Sequence, residues 1–283
     1  MSQSRIFLCS NNEYFSVMYC FFQSLSIVGS GGAVLCSCSG VIIRLLSCAF
    51  LSCGASVYGG AVFTATSNYS SMDKCCGNSC YATNGHFVFL LVTSSGINNA
   101  KNIVSQSSAI FCPRNYEGSH QTFRIQNGNQ TLQNVNSSMN YMTGHSTFCI
   151  VTFSEAHMSF CSFFSSKTGT VIMGWQGAKG YLRSLILRNN TYGNENYGLF
   201  MLYEGTYECY QIICNNNVFS KSYDIRGTAT INTNQIFFNT QTSAPIIVDR
   251  FLAGCTILDP ITFNHQNKNE KTTYFFFILS VLT

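Results

Sequence analysis

Apolar runs of four to six residues recur along this chain, each closed by Gly, Asn or Ser. Gly169-Thr-Val-Ile172, Gly198-Leu-Phe-Met201 and Ala244-Pro-Ile-Ile247 each open such a run after a polar turn. Each follows a segment that opens apolar and ends in Asn, Ser or Thr: Phe163-Phe-Ser-Ser166, Leu187-Arg-Asn-Asn190 and Phe237-Phe-Asn-Thr240. Short apolar runs with frequent turn residues predict short strands. No window sustains a period of 3.6 with helix caps, so long helices are not expected.

The rhythm sharpens into letters near the N-terminus. Cys20–Val34 aligns with Cys48–Val62 without a gap at an offset of 28, matching Cys20 to Cys48, Phe22 to Phe50, and Gly31-Gly32-Ala33-Val34 to Gly59-Gly60-Ala61-Val62. A third, shorter copy follows, with Cys76 in the ladder of Cys20 and Cys48, Cys80 at the place of Cys53, and Gly85 at the place of Gly59. A repeat of this length marks an array of stacked units, because one unit of about 25 residues cannot bury its own apolar face. Stacking pairs each strand in parallel with its equivalent, about 4.8 Å away. The expected fold class is therefore all-β, a single-stranded solenoid of the right-handed parallel β-helix (pectin-lyase-like) kind. Phe22 is expected to stack on Phe50, the glycine pairs to sit at tight corners, and Asn-rich turns such as Asn215-Asn216-Asn217 to form left-handed corners and amide ladders. The array is read as residues 1–265, with an irregular stretch at 112–145, followed by a polar segment and apolar tail at 266–283. Tyr274–Leu282 is too short to span a bilayer, which takes about 20 residues. It reads equally as a truncated membrane segment, giving membrane association, or as a last strand or capping helix. Met1–Ser10 shows no secretory signal.

Composition agrees with β structure. The chain has 24 Phe and 15 Tyr, and only 9% charged residues against about 25% in ordinary domains. The net charge of +4 is spread thinly, which argues against a nucleic-acid partner. Fifteen cysteines leave two physical readings open: small apolar core residues, or disulfides formed in an oxidising compartment.

The repeats resemble those of the polymorphic outer-membrane protein family of chlamydiae and of related β-helix surface proteins of protists such as trichomonads. That family couples Gly-Gly-Ala-(Ile/Leu/Val) with a Phe-x-x-Asn motif. Here the first element is exact twice, while Phe22-Gln-Ser-Leu25 and Phe50-Leu-Ser-Cys53 carry Leu and Cys where Asn is typical, and Leu187-Arg-Asn-Asn190 carries Leu for Phe. The resemblance implies a non-enzymatic adhesion or interaction protein at the cell surface or outside the cell. Its partner would be a host or neighbouring-cell protein or glycan, and the chain itself is read as a monomer.

Chemistry-bearing motifs are sparse. Carbohydrate-active β-helix enzymes converge carboxylates on one face. Asp224 and Asp249, 25 residues apart with Arg226 and Arg250 beside them, are the alternative acidic site, since stacked coils would bring them together. Glu204 and Glu208 flank a Gly-Thr-Tyr turn, and an exposed surface position is their plainer reading. No CxxC pair and no grouped histidines suggest a metal, and no cofactor motif is present. Asn68, Asn129, Asn136 and Asn189 stand in Asn-x-Ser/Thr acceptor sequences.

Overall fold

The computed structural model describes residues 5–8, 13–92, 100–113, 120–144, 147–169, 173–192, 198–218 and 221–238. Every regular element among them is a strand, and every strand pairing is parallel. The chain is a β-solenoid with three strand ladders. The first ladder climbs through Ile6, Val34, Val62, Val88, Phe123, Phe148, Met173, Phe200 and Tyr223. The second passes through Val17, Leu45, Met72, Val104, Leu132, Met158, Leu182 and Cys209. The third uses short three-residue strands, Phe21–Gln23, Ala49–Leu51, Cys76–Asn78, Ser108–Ile110, Asn136–Ser138 and Ser162–Phe164. Later strands, such as Met173–Arg188, bend through more than one ladder without a break.

The offset of 28 is the physical register. Val34 pairs with Val62, and Phe22 with Phe50, whose rings stack with centroids 5.1 Å apart and planes 7° from parallel. Gly31, Gly59 and Gly85 all take positive φ at one corner. A Cβ on Gly32 would collide with the Gly60 carbonyl oxygen, and one on Gly60 with that of His86, so coils close tightly here.

Two further corners recur in each coil, five residues apart: Tyr19 and Ser24, Ser47 and Ser52, Lys74 and Ser79, Asn134 and Met139, Ser184 and Asn189, all with φ near +50 to +56°. These are non-glycine residues in a conformation costing ~1–2 kcal/mol each. They keep the ladder intact, since Tyr19, Ser47 and Asn134 each donate their N–H to the next coil's Leu46, Asp73 and Ser159 carbonyls. The residue after the corner is turned into the core, and its N–H needs another acceptor. At the second corner of the pair, a side chain at the same position one coil on supplies it. Cys80 N–H donates to Cys112 Sγ (3.3 Å), Cys112 N–H to Asn140 Oδ1 (2.7 Å), Asn140 N–H to Ser166 Oγ (3.2 Å), Ser166 N–H to Asn190 Oδ1 (3.0 Å), and Asn190 N–H to Asn217 Oδ1 (2.9 Å). The same side chains donate back to carbonyls of the preceding coil: Cys53 to Phe22, Cys80 to Phe50, Asn190 to Phe163 and Asn217 to Leu187. This corner is the fourth position of Phe22-x-x-Leu25, Phe50-x-x-Cys53 and Leu187-x-x-Asn190. Cysteine stands in for asparagine there because a thiol both donates and accepts. The amide ladder expected of Asn215–Asn217 is carried by Asn217.

Two expectations are corrected. Cys76 is not above Cys48. Strand pairing sets Cys76 beside Ala49, so Cys75 continues the column of Cys20 and Cys48, one residue earlier than the letters suggested. Cys76 is disulfide-bonded. The stretch read as irregular, 112–145, contains a regular coil: Phe123–Gln126, Asn129–Gln133 and Asn136–Ser138 pair in register with both neighbours. Four of its amide side chains, Gln121, Gln130, Asn136 and Asn140, hid this because they are buried. Buried Asn102 and Gln130 donate to corner carbonyls of Gln126, Asn127 and Val151. The last coils of the 1–265 array and the 266–283 tail lie outside the described residues.

An aromatic spine fills the core: Phe22, Phe50, Phe87, Phe123, Phe148 and Phe163, with successive centroids 4.9–5.8 Å apart. It changes column at the third coil. Gly77 occupies the position of Phe50, and Phe87 that of Ala61. A Cβ on Gly77 would strike the Phe87 ring. The volume lost at one corner is thus regained at another, as close packing requires.

Three outcomes follow for purified variants in denaturant unfolding. Phe87→Ala costs about 3–5 kcal/mol by leaving a cavity, and Gly77→Phe alone about 3 kcal/mol by overpacking. The double variant restores the pattern of the first two coils and is less destabilised than the sum by about 2 kcal/mol; additive costs would show that the two sites do not share volume. At the polar corner, Asn190→Leu orphans the Ser166 N–H and Phe163 carbonyl and costs about 2–5 kcal/mol, whereas Asn190→Ser, the residue used one coil earlier, costs about 1 kcal/mol. Equal losses would remove the capping role. Third, buried His86 accepts from the Ala82 N–H at 3.1 Å, and burial lowers its pKa from 6.5 to about 4. The unfolded chain therefore binds a proton first as pH falls, so this contribution is complete above pH 6.5 and is lost between about 6.5 and 4, worth ~3 kcal/mol. His86→Gln flattens that part of the stability profile; an unchanged slope would rule out His86 as its source.

Candidate functional site

The residues singled out from the sequence divide into three groups. Asp224 pairs with Met201 on the first ladder, and half-buried Arg226 with Tyr203. Asp249 and Arg250 lie outside the described residues, so the acidic pair is not assembled among them. Glu204 sits exposed at a left-handed corner, its N–H donating to the Arg226 carbonyl. Glu208 is on the exposed face of the second ladder. Among the acceptor asparagines, Asn68 is exposed, while Asn129 accepts from Ser154 Oγ and Asn189 is a half-buried corner residue. Asn136 is 2% exposed, accepts from Ser162 Oγ and donates to Ser138 Oγ, which leaves a glycan no room in this fold.

Among the described residues, twelve buried cysteines are thiols outside any disulfide. Burial pushes Cys161, Cys209 and Cys214 up to about 12. Cys20 and Cys53 are raised further, first by hydrogen bonds with Cys48 and Cys80 and then by burial. These thiols are core and capping groups, since only a thiolate is a nucleophile or metal ligand. No group of three His, Cys, Asp or Glu side chains among the described residues is placed to hold a metal ion.

The chemistry that does converge lies on the outer face of the second ladder. Strand alternation turns every second side chain outward, and parallel pairing stacks those side chains in columns. One column is His157, Tyr181, Glu208 and Asn232; the next is Ser159, Arg183, Tyr210 and Asn234. The corner alongside presents Phe160, Ser184 and Gln211. Together they line an open groove of about 720 Å³ running across four coils. Its geometry is defined. The His157 and Tyr181 rings stack 4.6 Å apart and 6° from parallel. Arg183 lies 5.5 Å and Lys179 5.9 Å from the Tyr181 ring centre, and the Tyr181 side chain holds the exposed Lys179 ammonium above its ordinary pKa. Glu155 meets His157 Nε2 at 2.9 Å. Ser184 Oγ donates to Gln211 Oε1 at 3.2 Å.

Of this groove only Glu208 stood out in the sequence. The steps from His157 to Tyr181, Glu208 and Asn232 are 24, 27 and 24 residues, and nothing in the letters announces that unequal register. Comparison of the chain with protein-family models, with curated proteins and with solved structures gave no match.

Proposed function

We propose that this solenoid is a non-enzymatic interaction protein, a monomeric rod displayed at the cell surface or outside the cell, binding a protein or glycan through an outer sheet face. The observation that carries the reading is the pairing of a preorganised aromatic and polar face with carboxylates that, among the described residues, do not converge. Asp73 accepts from Ser105 Oγ at 2.7 Å. Glu155 is engaged by His157, and Glu208 stands two coils above it and two residues along the strand, roughly 12 Å away by strand geometry. Glycoside hydrolysis by a carboxylate pair works across about 5–9.5 Å. Tyr, His, Asn and Arg held on a rigid sheet lose little entropy on binding, which favours recognition.

A single pair of assays tests the proposal. Beads coated with the folded chain should retain glycans or cell-surface material, and pectin, alginate and heparin-like polymers should survive incubation with it uncut. Turnover of any of these, abolished by Asp224→Ala, would replace the interaction reading with that of a carbohydrate-active enzyme.

A further inference from the structure

We infer that the groove over His157, Tyr181 and Glu208 binds a linear, uncharged polysaccharide laid along the solenoid axis, one sugar ring to each coil. This rests on the interaction reading above and names the ligand class of the same face.

The first argument is spacing. Successive coils contribute Phe160, Tyr181, Tyr210 and Asn234 or their column neighbours, so each coil adds outward side chains at the strand spacing of about 4.8 Å along the axis. An extended pyranose chain advances by a similar distance per ring, so each ring meets the outward side chains of one coil. A peptide paired over His157, Tyr181 and Tyr210 would find no free backbone, because the strands that carry them are hydrogen-bonded on both sides.

The second argument is chemistry. Phe160 is 50% and Tyr210 38% exposed, giving apolar ring surface on alternate coils for the C–H faces of sugars. Arg183 on the coil between them, Gln211 beside Tyr210, and Asn232 and Asn234 on the next coil present donors and acceptors suited to hydroxyl groups. The third argument is charge. Arg183 and Glu208 give the groove one charge of each sign, which offers a polyanion no net attraction. A single carboxylate in the lining holds the chain without the second one that cleavage needs.

Titration calorimetry of the whole chain with neutral glucose, mannose and xylose oligosaccharides of one to six rings, and with oligogalacturonate as the acidic probe, tests this. At least one neutral series should bind, with affinity rising up to about four rings and then levelling. Tyr181→Ala and Tyr210→Ala should each weaken it tenfold or more, while Tyr14→Ala, on the same ladder far from the groove, should not. Circular dichroism identical to the parent chain excludes misfolding of the variants. No neutral binding at millimolar ligand, preference for the acidic probe, or binding indifferent to both groove substitutions would overturn the inference. In the last case the interaction reading survives on another face. Shortened oligosaccharides after incubation would do the reverse, keeping the groove as a sugar site and ending the non-enzymatic reading.

Discussion

The constraint on which this molecule depends is an unpaired backbone N–H. In a parallel solenoid the strands satisfy each other from coil to coil, but the second left-handed corner of each pair turns the following amide inward, away from the ladder. Left alone, a buried N–H costs about 1–3 kcal/mol, and the corner recurs in every coil. The chain answers with a column of small side chains that both accept and donate: Cys53, Cys80, Cys112, Asn140, Ser166, Asn190 and Asn217. The corners can therefore be sharp and non-glycine, the third strand can be three residues long, and the coil can stay thin.

That requirement accounts for the chemical character of the interior. Cysteine, serine and asparagine are interchangeable at the corner, and so one chain passes from thiols in its early coils to amides in its later ones without a change of fold. The number of thiols reflects this capping and packing role. Burial raises Cys161, Cys209 and Cys214 to about 12, which keeps these three protonated. The aromatic spine obeys the complementary rule of constant volume. Where Phe50 gives way to Gly77, Phe87 enters from the neighbouring corner, and where Tyr207 and Trp175 fill the later core, Gly180 faces them with no room for a Cβ.

With the inward positions committed to packing and capping, variation is left to the outward positions. Parallel register turns that freedom into columns, and a column of unlike residues becomes a patterned surface. His157 stacks on Tyr181, with Arg183 and Lys179 flanking the ring, because the solenoid places successive coils at one spacing. The rigidity of the face comes from the same hydrogen bonds that hold the rod.

The sequence by itself determined the fold class and the register of the first two coils. An ungapped offset of 28 carries Cys20, Phe22 and Gly31-Gly32 onto Cys48, Phe50 and Gly59-Gly60, and strand pairing in a parallel array must follow such an offset. It was also enough to anticipate the Phe22–Phe50 stack and the asparagine corner. Beyond there, coils change length at their loops, and letters stop reporting register. Only the tertiary structure decided that Cys75 and not Cys76 continues the thiol column, that the Asn- and Gln-rich stretch after Gln121 is a regular coil with Gln130 and Asn140 inside, and that Asn136 is buried. The groove also belongs to that second group. Its residues come from coils separated by unequal numbers of residues, and they meet because backbone pairing, rather than sequence spacing, sets which side chains share a column.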